Sequence, residues 1–158
     1  MPIGGGDLTD TVLIQSGRPL LIVPPSFQEG RIGDRVVIAW YYTRGAARAV
    51  FDSLDLIRDS SSVCVITHIR DETERSAAEA TNAALVTALR CHLARVSGEV
   101  GQADGSGMSE ELLSRMADHQ CDLLVMGGYV HSRFSEMIFG GVSREILRQT
   151  TVPALLSR

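Results

Sequence analysis

Cysteine is scarce in this chain, and the three present, Cys64, Cys91 and Cys121, are odd in number and far apart. None belongs to a CxxC pair, so the sequence offers neither a disulfide framework nor a zinc motif, and the thiols read as reduced and mostly buried. Charge of one sign is also lacking. Fifteen basic and nineteen acidic residues are interspersed, and a net charge of −4 provides no field that would collect polyanions, which argues against nucleic acid as a partner. No apolar run approaches the roughly 20 residues of a membrane span. The opening MPIGGGDLTD has neither the basic start nor the apolar core of a secretory signal, so a cytoplasmic protein without a membrane partner is expected. What is present is a 158-residue chain, 44% hydrophobic, enough for one ordinary domain with a real core.

Strand and helix patterns alternate along it. Residues 35–40 read as a strand, followed by a helix over 44–57 with Ala47, Val50, Phe51, Leu54 and Ile57 on one face. A strand over 63–69 comes next. Apolar positions from Ala77 to Val96 then recur at helical spacing and predict a long helix over 74–96, with His92 on its apolar stripe. Residues 98–102 are glycine-rich and polar, and their place between two helices makes them a short edge strand. A helix over 109–119, a strand over 123–126, a helix over 143–149 and a last strand over 154–157 complete the set. Repeated β-α units with right-handed crossovers imply an α/β fold: a doubly wound, mainly parallel sheet with helices on both faces.

The stretch DLLVMGGYVHSRFSEMIFGGVS carries the most chemistry. A buried-strand pattern breaks at Gly127-Gly128, where ligands of open α/β sheets gather. A second pair, Gly140-Gly141, precedes a helix that Ser143 would cap, with Val142, Ile146 and Leu147 on its apolar stripe. Two glycine clusters around one loop are a way to present backbone N–H groups to a phosphate. Arg133, in the cluster His131-Ser132-Arg133, would be a charged partner for one. His68, near a strand end, reads as a loop-edge histidine, and Glu110, Glu111, Asp118 and Asp122 as solvated or helix-end charges. There is no Ser/His/Asp order in an elbow context, no HExxH and no complete P-loop, so no catalytic residue and no metal ligand is assigned.

An internal echo sets the domain organisation. LTDTVLIQSGRPLLIVP matches the terminal VSREILRQTTVPALLSR at a fixed offset, placing Leu13 on Leu147, Gln15 on Gln149, Pro19 on Pro153 and Leu21 on Leu155. Such similarity marks duplication, the alternative being chance agreement of short amphipathic segments. Residues 1–25 then read as the last helix and strand of a preceding homologous domain, 26–34 as a linker, and 35–158 as a complete domain. Leu20 to Val23 is expected to lie against Ala154 to Ser157.

Three segments, VVIAWYYTRGAARAV, DLLVMGGYVHSRFSEMIFGGVSREIL and TVPALLSR, together resemble the universal stress protein family, and the N-terminal copy is similar to its tandem two-domain members. The resemblance covers nearly everything from about Gly33 onward. It implies a five-stranded parallel sheet in the order 3-2-1-4-5 and a homodimer formed through the terminal strand. Many members bind ATP through a signature of Gly, two residues, Gly, nine residues, Gly, then Ser or Thr. Here Gly127 and Gly140 match, whereas the second glycine falls on Val130 and the hydroxyl on Gly141, and the family's acidic nucleotide contact falls on Tyr41. A β-branched valine resists positive φ and crowds the phosphate, and no carboxylate is left for a ribose. Backbone N–H groups of Gly140-Gly141-Val142-Ser143 would still attract an anion. The weakened nucleotide site is therefore Tyr41, Gly127, Gly128, Val130, Arg133, Gly140, Gly141, Val142 and Ser143. The expected function is a non-catalytic stress-response or regulatory domain acting through dimerisation, without a cofactor; the alternative is a sensor that binds, or slowly hydrolyses, ATP with Mg²⁺.

Overall fold

The computed structural model describes residues 5–103, 107–128 and 140–158. In chain order these form α1 (Gly5–Ser16), β1 (Leu20–Ile22), β2 (Arg35–Ala39), α2 (Arg44–Ile57), β3 (Ser62–Ile69), α3 (Arg75–Leu89), β4 (Val96–Gln102), α4 (Met108–Asp118), β5 (Leu123–Gly127), α5 (Gly140–Gln149) and β6 (Ala154–Ser157). One sheet runs β1-β6-β5-β2-β3-β4. The last five strands in that order are parallel, which is the expected 3-2-1-4-5 arrangement counted from β2. β1 adds a sixth strand, antiparallel to β6.

Apolar residues divide by strand parity into two cores. Val36, Ile38, Val63, Val65, Leu123 and Val125 face α2 and α3, while Val37, Ala39, Cys64, Ile66, Leu124 and Met126 face α4, α5 and Leu13 of α1. Near-continuous Val/Ile/Leu runs in β2, β3 and β5 are what burial on both faces demands. Asp122 fastens the start of β2 to that of β5, its carboxylate accepting from the backbone N–H groups of Gly33 (2.9 Å), Asp34 (3.1 Å) and Arg35 (3.1 Å). It is a structural anchor and not merely a solvated charge.

Three expectations need correction. The helix predicted over 74–96 ends at Leu89, because the N–H groups of His92 and Leu93 both turn back onto Leu89 O, and Arg90 donates its guanidinium to Val96 O. Leu93 and Val96 are buried in the same core as Leu89, so a turn and a strand imitate helical spacing, and His92 is an exposed turn residue. β4 is correspondingly longer than predicted, pairing with β3 from Val96 to Gln102. Gly98 has a packing reason: a Cβ there would lie 2.1 Å from Asn82 Oδ1 of α3. The buried Asn82 amide donates to Val65 O and lies within bonding distance of Glu99 O, tying α3 to this edge. Lastly, the inward face of α2 is Ala46, Ala49, Val50, Ser53 and Ile57, and Phe51 is exposed, so the predicted stripe is rotated.

The N-terminal segment pairs as expected. Leu20 lies opposite Leu156, Leu21 opposite Leu155 and Ile22 opposite Ala154. Leu21 and Leu155 are also the residues that the internal echo superposes, so the two helix-strand units meet about a local twofold centred on that pair. Among the described residues, no helix is long and apolar enough to cross a membrane.

Candidate functional site

The sheet reverses its winding between β2 and β5, where α2 and α5 leave to opposite faces, and the carboxyl ends of strands at such a point are where open α/β sheets hold their ligands. Ala39 is paired with Met126, so Tyr41 and Gly128 each follow a matched pair by two residues. Trp40 turns into the α2 and α3 core, Tyr41 packs against the α4 and α5 core, and Tyr42 points to solvent. Trp40 and Tyr42 meet edge to face, with ring centroids 6.4 Å apart and planes at 81°. Burial pushes the Tyr41 phenol up to about 12, so it stays neutral at any physiological pH. A neutral, largely packed phenol thus stands where the family places an acidic residue.

Both glycines of the first pair answer to packing. A Cβ on Gly127 would come within 2.6 Å of Ala46 N and 2.9 Å of Gly45 C, the first turn of α2. One on Gly128 would come within 2.2 Å of Leu13 Cδ2. Gly128 N–H is already committed to Ser157 O at 2.6 Å. Leu13, 2% exposed, therefore seats α1 on the loop that the sequence assigns to phosphate. Nothing in sequence periodicity flags Leu13 for this position.

The second pair lies at the start of α5. The helix begins at Gly140, so Ser143 is inside it and does not serve as its cap. Val142 packs against the same core as Tyr41. A Cβ on Gly141 would meet nothing within 4 Å. Glu145 of α5 accepts from Ser109 Oγ of α4 at 2.6 Å, fixing the two helices together. Val130 and Arg133, with the rest of their loop, lie outside the described residues. The fold thus gathers Tyr41, Gly127 and Gly128 at one set of strand ends, and Tyr41 and Val142 on one core.

A cleft of about 660 Å³ opens beside Gly128, between the end of α1 and the start of α2. Arg18, Arg44, Arg48 and Arg158 line it, together with Leu13, Gly45 and Ser157. None of these arginines is ion-paired among the described residues. Ser157, which also lines the cleft, donates its Oγ–H to Asp52 Oδ2 at 2.7 Å. Four guanidinium groups scattered over residues 18 to 158 leave no sequence pattern, which is why the sequence reading does not assemble them. Chemically the cleft suits an anion with several oxygens.

Comparison with known proteins places this geometry. The profile of the Universal stress protein family matches residues 34–158. Universal stress protein Slr1230 of Synechocystis sp. is 38% identical over 53 residues, covering 33% of this chain and 18% of that protein. The crystal structure of a universal stress protein from Archaeoglobus fulgidus superposes with a TM-score of 0.70 at 17% identity, covering 96% of this chain and 55% of that chain. A universal stress protein from the same organism in complex with dAMP superposes at 0.57 with 16% identity, over 75% of this chain and 93% of that one. The chain thus spans 18% and 55% of the first two of these proteins. With the profile matched over residues 34–158 and the expected sheet order reproduced, the chain belongs to the universal stress protein family.

Proposed function

We propose that this chain is a non-catalytic stress-response or regulatory domain in which the nucleotide crevice has been given over to internal packing. The observation that carries the reading is the filling of the space beside Gly127 and Gly128 by the first turn of α2 and by Leu13. The loss of an acidic residue at Tyr41, and of the signature glycine and hydroxyl at Val130 and Gly141, points the same way. Residues 1–25 are read as the last helix and strand of a preceding homologous domain, 26–34 as linker and 35–158 as the complete domain. The twofold about Leu21 and Leu155 supports that division. Since β1 occupies the outer edge of β6, assembly is proposed to proceed through the outer side of β1, where Leu21 and Val23 are exposed, rather than through β6 itself.

A second reading, an adenine-nucleotide sensor, is favoured by the arginine-lined cleft and by the relative crystallised with dAMP. Thermal unfolding with millimolar ATP and Mg²⁺, and separately with dAMP, decides between them. A ligand present at 100 times its Kd stabilises the folded state by about 2.7 kcal/mol, well within detection. The first reading expects a flat response. A rise in Tm that Gly140→Val abolishes places the nucleotide in the family crevice; one that Arg44→Glu with Arg48→Glu abolishes places it in the cleft. Either rise overturns the packed-crevice reading.

A further inference from the structure

Away from the crevice, at the β3-β4 edge, three different donor side chains converge from three elements. Cys64 projects from β3 into the core under α4, Glu99 comes from the neighbouring β4, and His119 caps the carboxyl end of α4. Their Sγ, carboxylate oxygen and ring nitrogen all lie within 4.8 Å of one another, and His119 Nε2 is 3.0 Å from Glu99 Oε1. Tetrahedral bonds of about 2.0–2.3 Å hold ligand atoms about 3.3–3.8 Å apart, so side-chain shifts of about 1 Å or less bring these donors to a coordination shell. We propose that Cys64, Glu99 and His119 form a site for a divalent thiophilic metal, with Zn²⁺ the ion that one sulfur, one nitrogen and one oxygen fit best, and with water in the fourth position.

The surroundings support the assignment. Glu99 Oε2 is buried and accepts no hydrogen bond, facing Arg115 Nη2 at 3.4 Å. Arg115 also lies 3.7 Å from Glu111 and 3.8 Å from Asp118, so it keeps two carboxylates on its own helix when a metal displaces it from Glu99. Formation of the sulfur-metal bond breaks the Cys64 S–H bond, and that proton leaves to solvent. Glu99 and His119 are each about a third exposed, which leaves the ion a path in. Bound metal would clamp the edge strand β4 to the end of α4.

The test uses the full 158-residue chain and the metal alone. One equivalent of Co²⁺ is expected to give thiolate-to-cobalt charge-transfer absorption with tetrahedral d–d bands, and Zn²⁺ to abolish both at a one-to-one ratio. Cys64→Ser should eliminate the charge transfer and weaken Zn²⁺, measured against a chromogenic chelator, by at least about tenfold. His119→Gln, a change at a partly exposed helix end, should weaken Zn²⁺ similarly while keeping the sulfur signature, and serves if Cys64→Ser does not fold. Cys91→Ser and Cys121→Ser should behave as the parent chain. Absence of charge transfer at one equivalent, its persistence in Cys64→Ser, or unchanged Zn²⁺ affinity in His119→Gln would overturn the site.

Discussion

Seating of Leu13 on Gly128 makes a quantitative demand on stability. Leu13 is 2% exposed and joins the core of Val37, Leu124, Met126, Ile146 and Leu156. Leu13→Ala deletes that contact, and buried Leu→Ala changes cost about 2–5 kcal/mol. A value near 2–3 kcal/mol is expected, because α1 lies at the edge of the domain and the site can partly collapse; at about 2–4 °C per kcal/mol for a chain of this size, Tm should fall by roughly 5–10 °C. Gly128→Ala attacks the same contact from the other side. Its Cβ would lie 2.2 Å from Leu13 Cδ2, the movable end of a side chain, and 3.2 Å from Ser157 O, a fixed backbone atom. Displacement of a flexible tip falls in the overpacking range of about 1–3 kcal/mol.

The two changes must then couple. With Leu13 truncated, the new methyl at position 128 enters vacated space, so the double variant should be about 1–2 kcal/mol more stable than the sum of the singles predicts. Urea unfolding followed by the fluorescence of Trp40, the single tryptophan, measures all four species. Strict additivity, or a Leu13→Ala effect below about 0.5 kcal/mol, would refute the docking of α1 on this loop. The packed-crevice reading of the function would lose its support with it.

Two further perturbations probe the frame. Asp122→Ala strips the acceptor from the N–H groups of Gly33, Asp34 and Arg35 and should lower stability by about 2 kcal/mol in urea, with Asp122→Asn recovering part of it; an effect under about 0.5 kcal/mol would show that the anchor is dispensable. His68 is 5% exposed with both ring nitrogens buried and unpartnered, and burial holds its pKa below the ordinary 6.5 despite Glu111 and Glu99 nearby. The unfolded chain therefore binds this proton more readily, so stability is complete above pH 6.5 and is lost as pH falls from there through the folded-state pKa; His68→Leu should flatten that limb and gain about 1 kcal/mol at pH 7, and a pH profile identical to the parent's would refute it.

Legibility in the sequence follows from how local each determinant is. The strands β2, β3 and β5 and the helix α2 are specified by runs of residues next to one another, and their limits are found within a residue or two. The end of α3 is not, because Leu89, Leu93 and Val96 keep helical spacing while serving one core through a helix, a turn and a strand; only the carbonyl of Leu89 accepting two N–H groups decides the matter. Glycine is harder still. A Gly-Gly pair after a buried strand is equally consistent with a backbone offered to phosphate and with a backbone approached by protein, and the choice rests on Ala46 and Leu13, which lie 81 and 115 residues away from Gly127 and Gly128. Clusters assembled by topology leave no spacing at all. Cys64, Glu99 and His119 are separated by 35 and 20 residues, far from any ligand motif, and they meet because β4 lies beside β3 and α4 returns across both. A motif search rewards chemistry that sits on one turn or one loop, whereas a doubly wound sheet builds proximity from parallel strands whose sequence separation is set by the crossover helix. In such a fold, residues facing one side of adjacent strands at matched register are the natural unit for reading a site, and Cys64 beside Ser97, two positions before Glu99, is such a unit.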